Sequence, residues 1–529
     1  MPEPLTFLPV GAHDILVELA DLSATLTLLD QIAAENWPEI TDLVPAARTL
    51  LVCFDPLLGD RESLMRRIAA LDLSRESRRS GAELTIPVFY DGEDLADVAA
   101  HLGLTREELI ARHTTATYTV AFSGFAPGFA YLSCDDPLLQ VPRRGSPRLR
   151  IPAGAVALGG SFSGIYPTDS PGGWQIIGRT PVKMWYEGRE KPALLAPGWK
   201  VRFRAISGED FAAWPQEEMQ SAPERRRDLT VLRSDFPAYY QDLGREGMAG
   251  QGISRSGALD RASLIAANRI VGNDRNAVVI EISSGGFSVR AERALTLAVT
   301  GAEGELSLNT VRGEKLQPVY AQAIALDAGD VLAVGHAKRG ARAYLAIRGG
   351  FVAKQLLGSV ARDTLAKVGP APIKTGDALE IGDAPLRAVA DFALNSKALP
   401  ARDEVITLNV HLGPRTDWFS ESGLQTFLNQ EWEVSQEADR VGIRLRGETA
   451  IASAMSGELP SEATVLGALQ VPKSGHPVLF LADHPLTGGY PVIAVLAADQ
   501  LDLAGQIPIG ARLRFRAISG FNPISRDRL

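Results

Sequence analysis

The chain has 529 residues, 45% of them apolar and 22% charged, a balance that fits a folded globular protein and a length that calls for three or four domains. Its net charge of −9 argues against general nucleic-acid binding, and its two cysteines, Cys53 and Cys134, exclude a disulfide framework or a cysteine-built metal site. No apolar run is long enough for a membrane span and no basic stretch precedes an apolar one at the start, so a cytoplasmic protein without membrane attachment is expected.

In chain order, apolar alternation predicts strands at 14–19, 48–54 and 83–90, and helical spacing predicts helices at 22–34 and 61–71. This β-α-β-α-β order points to a small ferredoxin-like lobe over residues 1–90. Two helices follow at 95–102 and 105–113, the second opened by a Thr105-x-x-Glu108 capping box. Short strands at 117–122, 155–158, 174–177, 182–186 and 200–204 then alternate with Gly-Pro turns, the pattern of a closed or sandwiched β domain over 91–214. The charged, proline-bearing segment 215–228 reads as a linker. Residues 229–385 read as a second β-rich unit with one helix at 260–270, and a looser stretch at 384–404 leads into a third unit, 404–529.

The densest chemical signal lies between Pro142 and Pro181, where Arg143, Arg144, Arg148, Arg150 and Arg179 accompany one acid, Asp169. Every cation in this stretch is a planar fork able to grip a carboxylate or phosphate bidentately. Prolines stiffen the backbone while Gly172 and Gly173, just ahead of Trp174, permit close ligand approach. This is the composition of an anion site built from loops, with a solvated basic edge as the plainer alternative. Upstream, Phe125-Ala126-Pro127-Gly128-Phe129-Ala130-Tyr131 suits either a core or a wall for a flat ligand, and His113 suits a cation at a helix end or a ligand contact. Asp483 is a candidate general base or a turn cap, and Gln470 needs a polar partner from backbone or substrate.

An internal repeat organises the whole. Val201-Arg202-Phe203-Arg204-Ala205-Ile206-Ser207 recurs as Leu513-Arg514-Phe515-Arg516-Ala517-Ile518-Ser519. Gly154-Ala155-Val156-Ala157 parallels Gly467-Ala468-Leu469-Gln470, and Ser170-Pro171-Gly172-Gly173-Trp174 parallels Leu486-Thr487-Gly488-Gly489-Tyr490. The two halves therefore share one β fold. No Walker A loop, Gly-x-Ser-x-Gly elbow, His-Glu-x-x-His or Met-Lys-Met biotin-attachment site occurs, so chemistry rests on charges and backbone amides or on a partner.

The segments HTTATYTVAFSGFAPGFAYL (113–132), PRRGSPRLRIPAGAVALGG (142–160) and IYPTDSPGGWQIIGRTP (165–181), which includes Tyr166, resemble allophanate hydrolase subunit 1, also known as the B-type subunit of 5-oxoprolinase and as a sporulation-kinase inhibitor. The segments at 241–273, 345–351, 413–419, 435–447 and 482–494, the last reading ADHPLTGGYPVIA, resemble allophanate hydrolase subunit 2, or the C-type subunit of 5-oxoprolinase. The resemblance implies a mainly β chain of tandem cyclophilin-like β-barrel domains with an N-terminal ferredoxin-like α/β lobe. It also implies an ATP-dependent opening of 5-oxoproline to L-glutamate with a separate A-type subunit in a hetero-oligomer. ATP, with magnesium, is the expected cofactor, and no covalently bound biotin is expected. The same paired domains form the carboxyltransferase of biotin-dependent urea carboxylase, a second reading; a non-catalytic kinase antagonist is a third. On this resemblance Arg179 and Asp483 are the candidate catalytic residues. Candidates for substrate or nucleotide binding are His113, Pro127, Gly128, Phe129, Arg143, Arg148, Arg150, Gly154, Tyr166, Gly172, Gly173 and Trp174 in the first half. Gln470, Thr487, Gly488, Gly489 and Tyr490 are their counterparts in the second half. Two departures stand out: His484-Pro485 replaces the usual Arg-Gln pair, and the usual Gly-Ser-Arg-Ser-Thr is loosened across 358–364.

Overall fold

A computed structural model describes residues 5–73, 82–215, 226–383, 387–390, 398–455, 457 and 459–529. Most of the expected linker at 215–228 and about half of the looser stretch at 384–404 lie outside the described residues.

The N-terminal lobe is one antiparallel sheet, ordered Ile40–Pro45, Thr49–Phe54, Asp14–Glu18, Thr6–Val10 and, at the edge, Ile524–Ser525 from the far end of the chain. Helices Leu22–Glu35 and Arg61–Ala69 cover one face, each started by an aspartate, Asp21 or Asp60, that accepts a backbone N–H of the first turn. The arrangement is ferredoxin-like with a substitution: Thr6–Val10 stands where a strand following the second helix would be. The strand expected to fill that place, Glu83–Val88, instead leaves the lobe and pairs in parallel with Lys200–Ala205. Its Ile86 and Val88 are buried in the core of the next sheet, which is why it departs. The first structural boundary therefore falls ahead of residue 82 rather than at 90.

Two barrels share one blueprint. The first sheet runs Gln175–Arg179, Ala155–Gly159, Phe162–Ile165, Ala130–Ser133, Tyr118–Ser123, Lys200–Ala205, Glu83–Val88, and a Phe89–Arg179 bridge ties its two ends. The second is closed, in the matching order Val492–Leu496, Ala468–Gln470, Val478–Phe480, Gly442–Arg446, Trp432–Val434, Arg512–Ser519, Val405–Leu412. The repeated Arg-Phe-Arg strands occupy equivalent positions and each makes the parallel pair of its barrel. Their alternation explains why the pattern recurs in the two halves: Val201 and Phe203, like Leu513 and Phe515, point into the core while the arginines point out. The capping box at Thr105 and Glu108 is present. At 182–186 the structure has only an isolated Trp185–Ala193 bridge in place of the expected strand.

Between the barrels in sequence lies a β-sandwich of a six-stranded and a five-stranded sheet, closed over Val231, Ile282, Phe287, Val299 and Leu345. Its helix Arg261–Ile270 packs Leu264, Ala267 and Ile270 on Ala298, Tyr344 and Ala346. The lobe's uncovered face, through Leu8, Val10, Leu16 and Leu51, lies on the outside of the second barrel against Ala468, Phe480, Val492 and Val495.

Candidate functional site

Strand alternation in the first barrel sends Val120, Leu132, Val156 and Leu158 inward and Tyr131, Ala155, Ala157 and Ile176 outward. A bulge at Val120–Phe122 brings Phe122 to the outer side as well. An aromatic platform results. Phe122 stacks on Tyr131 at 4.3 Å between centroids, and Phe129 meets Tyr166 at 5.3 Å and Trp174 at 5.5 Å edge to face. Glycines make the room: a Cβ on Gly159 would stand 2.6 Å from the Trp174 ring, and one on Gly172 would stand 2.3 Å from the Tyr166 hydroxyl. Phe125, 39% exposed with φ +65°, sits at the rim against Phe129 and Tyr166. A hairpin of Arg148–Ile151 with Ser170–Gly172 borders the platform, and Ile151 packs into it.

The five arginines of this segment do not act alike. Arg144 and Arg148 both donate to Asp94 Oδ1 at 2.7 Å, while Asp94 Oδ2 accepts the Ile176 N–H at 2.7 Å. Burial pushes the Asp94 carboxyl up, but Arg148, the Ile176 N–H and the Arg144 charge prevail and hold it below its usual range. Arg150 pairs with Asp169 at 2.6 Å, and Arg179 pairs with Asp91 at 2.6 Å while lying over the Phe211 ring at 4.7 Å. The acids facing the arginines are thus mostly Asp91, Glu93 and Asp94, from a loop 50 to 88 residues earlier that local sequence left unconnected. Arg179, expected as catalytic, closes the barrel seam as an ion-pair former. Arg143 differs from the other four. Its guanidinium lies 5.9 Å from the Trp174 ring centroid, is exposed, and has no ion pair or hydrogen bond among the described residues. Burial pushes the Tyr131 and Tyr166 hydroxyls each up to about 12, against the pull of the nearby Arg143 charge. At neutral pH both phenols are therefore donors.

Other expected residues fall elsewhere. His113 is fully buried in the first barrel, stacked on Phe203 at 4.3 Å and bonded to the Tyr90 hydroxyl at 2.7 Å and Ser163 at 3.2 Å. Burial pulls it down to about 3, so it is neutral and serves neither as a helix-end cation nor as a ligand group. Gly154, at φ +82°, makes the turn whose N–H donates to the Tyr166 carbonyl, and it has no side chain to offer. Gly173 holds the segment together by accepting the Arg144 N–H. Pro127 and Gly128 shape the turn between Phe125 and Phe129, with the Gly128 N–H donating to the Gln251 carbonyl.

In the second half, Asp483 is not an open base. It is fully buried, takes two bonds from Arg440 at 2.9 and 3.0 Å, and accepts from Ser256 at 2.6 Å and from the Thr364 N–H and hydroxyl at 2.8 Å. Arg440 also binds Glu281, which in turn accepts from the Tyr344 hydroxyl at 2.8 Å, so the network fastens the sandwich to the second barrel. Asp363, next in this network, is pushed up to about 7 by burial and by the Asp483 charge. Gln470 finds a backbone partner, the Tyr490 carbonyl at 3.0 Å. His484 is buried against Phe480. Thr487 and Gly488 pair with Ala463 and Glu462, Gly489 lies beside Leu459, and Tyr490 is 43% exposed. Of this group only Thr487 approaches the platform: a Cβ on Gly124 would stand 2.4 Å from its hydroxyl.

The arrangement has aromatic faces, two phenol donors and one uncommitted cation, at a rim bounded by the sandwich and the second barrel. The rings of the platform are buried, so an incoming anion meets the exposed Phe125 and Arg143 at its rim, and the platform itself supplies no nucleophile. The carboxyltransferase-domain model matches the chain in two parts, subdomains C and D over residues 5–195 and subdomains A and B over 251–517. The chain belongs to the carboxyltransferase-domain family. The C-type subunit of 5-oxoprolinase from Haemophilus influenzae is 34% identical over 298 residues, 55% of this chain and 91% of that protein. The B-type subunit of 5-oxoprolinase from Escherichia coli O157:H7 is 39% identical over 181 residues, 32% of this chain and 79% of that protein. The solved structure of TTHA0988 is 33% identical with a TM-score of 0.81, covering 95% of this chain and 99% of that one. The family's two parts are fused here in the order B-like, then C-like, and the tandem-barrel fold is the one the resemblance implied.

Proposed function

We propose that this carboxyltransferase-family chain is the fused B–C component of an ATP-dependent 5-oxoprolinase, a cytoplasmic hetero-oligomer completed by a separate A-type subunit. The observation that carries the reading is Arg143, the one arginine of its segment left unpaired, standing over the Trp174 face. A five-membered lactam is small enough to lie against Phe125 at the rim of the platform, and its carboxylate suits the Arg143 fork. The surrounding apolar groups exclude water, which strengthens each of these contacts.

A triphosphate does not fit this segment, because Arg144, Arg148, Arg150 and Arg179 are already committed to carboxylates. Among the described residues no group of three His, Cys, Asp or Glu could hold a metal. As part of the same proposal, we assign the nucleotide and its magnesium to the A-type subunit. The work left to this chain is to bind, orient and shield the lactam.

The test is co-expression with an A-type subunit, purification of the complex, and an assay of 5-oxoproline-dependent ATP hydrolysis. The complex is expected to turn over. Arg143→Gln should lower kcat/KM roughly ten- to a hundredfold, the loss of one charge-assisted bond of about 1.5–3 kcal/mol, with an unchanged melting temperature. An inactive complex overturns the proposal. The second reading, carboxyl transfer from carboxybiotin carried by another chain, is favoured by the match to the carboxyltransferase domain itself. It predicts activity only with a biotin carboxylase and carrier.

A further inference from the structure

A separate cavity of about 380 Å³ lies where the two ends of the chain meet, between the lobe, the second barrel and the C-terminal tail. It shares no lining residue with the aromatic platform. Its size falls within the range of small-molecule sites. Phe7, Ile15, Met65 and Ile524 make an apolar wall, and Arg61, His411, Ser519 and Asn522 make a polar side.

The polar side is built but incomplete. Arg61 Nη2 donates to the Gly11 carbonyl at 2.6 Å, while its buried Nε has no hydrogen-bond partner. The Arg61 guanidinium lines the cavity and brings a full positive charge to it. His411 uses Nδ1 on the Ser519 hydroxyl at 2.8 Å, which leaves Nε2 as its uncommitted nitrogen. Burial depresses the His411 ring, and the Arg61 and His13 charges depress it further, with Asp499 acting against them, so the field there is positive. Asp14 is the counter-charge felt by Arg61, but it is buried on the Cys53 side and makes no ion pair with Arg61 among the described residues.

We propose that this cavity binds a small monocarboxylate with a compact apolar body. The carboxylate meets the Arg61 guanidinium and His411, and the apolar body lies against Phe7, Ile15, Met65 and Ile524. A single guanidinium, partly offset by Asp14 and set beside an apolar wall, suits a monoanion with an apolar body better than a dianion. Because the chamber is walled by both the first strand and the last, an occupant fastens the C-terminal tail to the lobe, and binding raises the stability of the native chain by mass action.

The experiment uses the full chain with butanoate as the probe, read by titration calorimetry and thermal unfolding, with butanamide as the neutral isostere. Saturable butanoate binding and a raised melting temperature are expected, at least about tenfold weaker in Arg61→Gln. Met65→Phe, which fills the chamber and keeps the charge, should weaken binding as well. No saturable binding to the wild-type chain, equal binding by Arg61→Gln, or equal binding of butanamide overturns the proposal. Inorganic phosphate binding as tightly as butanoate overturns the monocarboxylate assignment.

Discussion

Arg143 and His113 show how little a residue's type says about its role. Arg143 lies beside Arg144 in sequence, yet Arg144 is spent on Asp94 while Arg143 remains open above Trp174. His113 ends a helix, where a protonated imidazole would gain from the dipole, but its ring lies in the barrel core and stays neutral. Its folded value of about 3 lies below the ordinary 6.5, so between those pH values the unfolded chain binds one more proton at this site than the folded chain. Stability from this group is therefore full above pH 6.5 and is lost as pH falls toward 3. His113→Gln keeps hydrogen bonding without titrating. The slope of unfolding free energy against pH in that window should become shallower by up to about 1.4 kcal/mol per pH unit, measured by urea unfolding across a pH series. An unchanged slope would show that the ring is not shielded.

At the scale of elements, the platform depends on a bulge, a hairpin and one aspartate. The bulge at Val120–Phe122 turns Phe122 outward, and the hairpin from Arg148 to Gly172 is tied down through Asp94. Asp94 is 2% exposed and serves two arginines and the Ile176 N–H at once. Asp94→Asn keeps an acceptor but removes the charge, so the hairpin should loosen at a cost of about 2–3 kcal/mol. Urea unfolding should show the loss, and tryptophan fluorescence should report a wetter Trp174. Glu83–Val88 teaches the same lesson in topology. Its β pattern is plain in sequence, yet its partner is a strand more than a hundred residues away in the barrel rather than a neighbour in the lobe.

Across the whole molecule, duplication has produced two barrels that are alike in order and unlike in use. The outer face of the first carries buried aromatics edged by an open arginine, while the outer face of the second, mostly aliphatic around Phe480, lies under the lobe. The Gly-Gly-aromatic turn of the second half therefore borders a covered surface. Asp483 belongs to the buried set that joins that barrel to the sandwich through Arg440 and Glu281, each at most 3% exposed. Arg440→Met would strand two carboxylates in the interior and should cost about 3–5 kcal/mol. Denaturant unfolding is the measurement, with the sandwich and the second barrel expected to melt separately. A single unchanged transition would show that the network contributes nothing to docking.

Whatever rests on short-range chemistry was legible in the chain before any fold was known. The Thr105–Glu108 capping box, the alternation in Val201-Arg202-Phe203, the helix at 260–270 and the repeated Arg-Phe-Arg strand were all readable, because a periodicity or a cap is set by residues a few positions apart. Family and tandem fold were readable too, from long ordered motifs. Which carboxylates meet which arginines emerged only in three dimensions, since an ion pair needs only spatial reach and Asp94 lies about fifty residues from its partners. The neutrality of His113 emerged there as well, since burial is a property of everything packed around a ring. So did what covers each of two equivalent barrel faces, Ile151, Tyr166 and Trp174 on the first and the lobe on the second, because alternation names the two sides of a strand and says nothing about what comes to cover each.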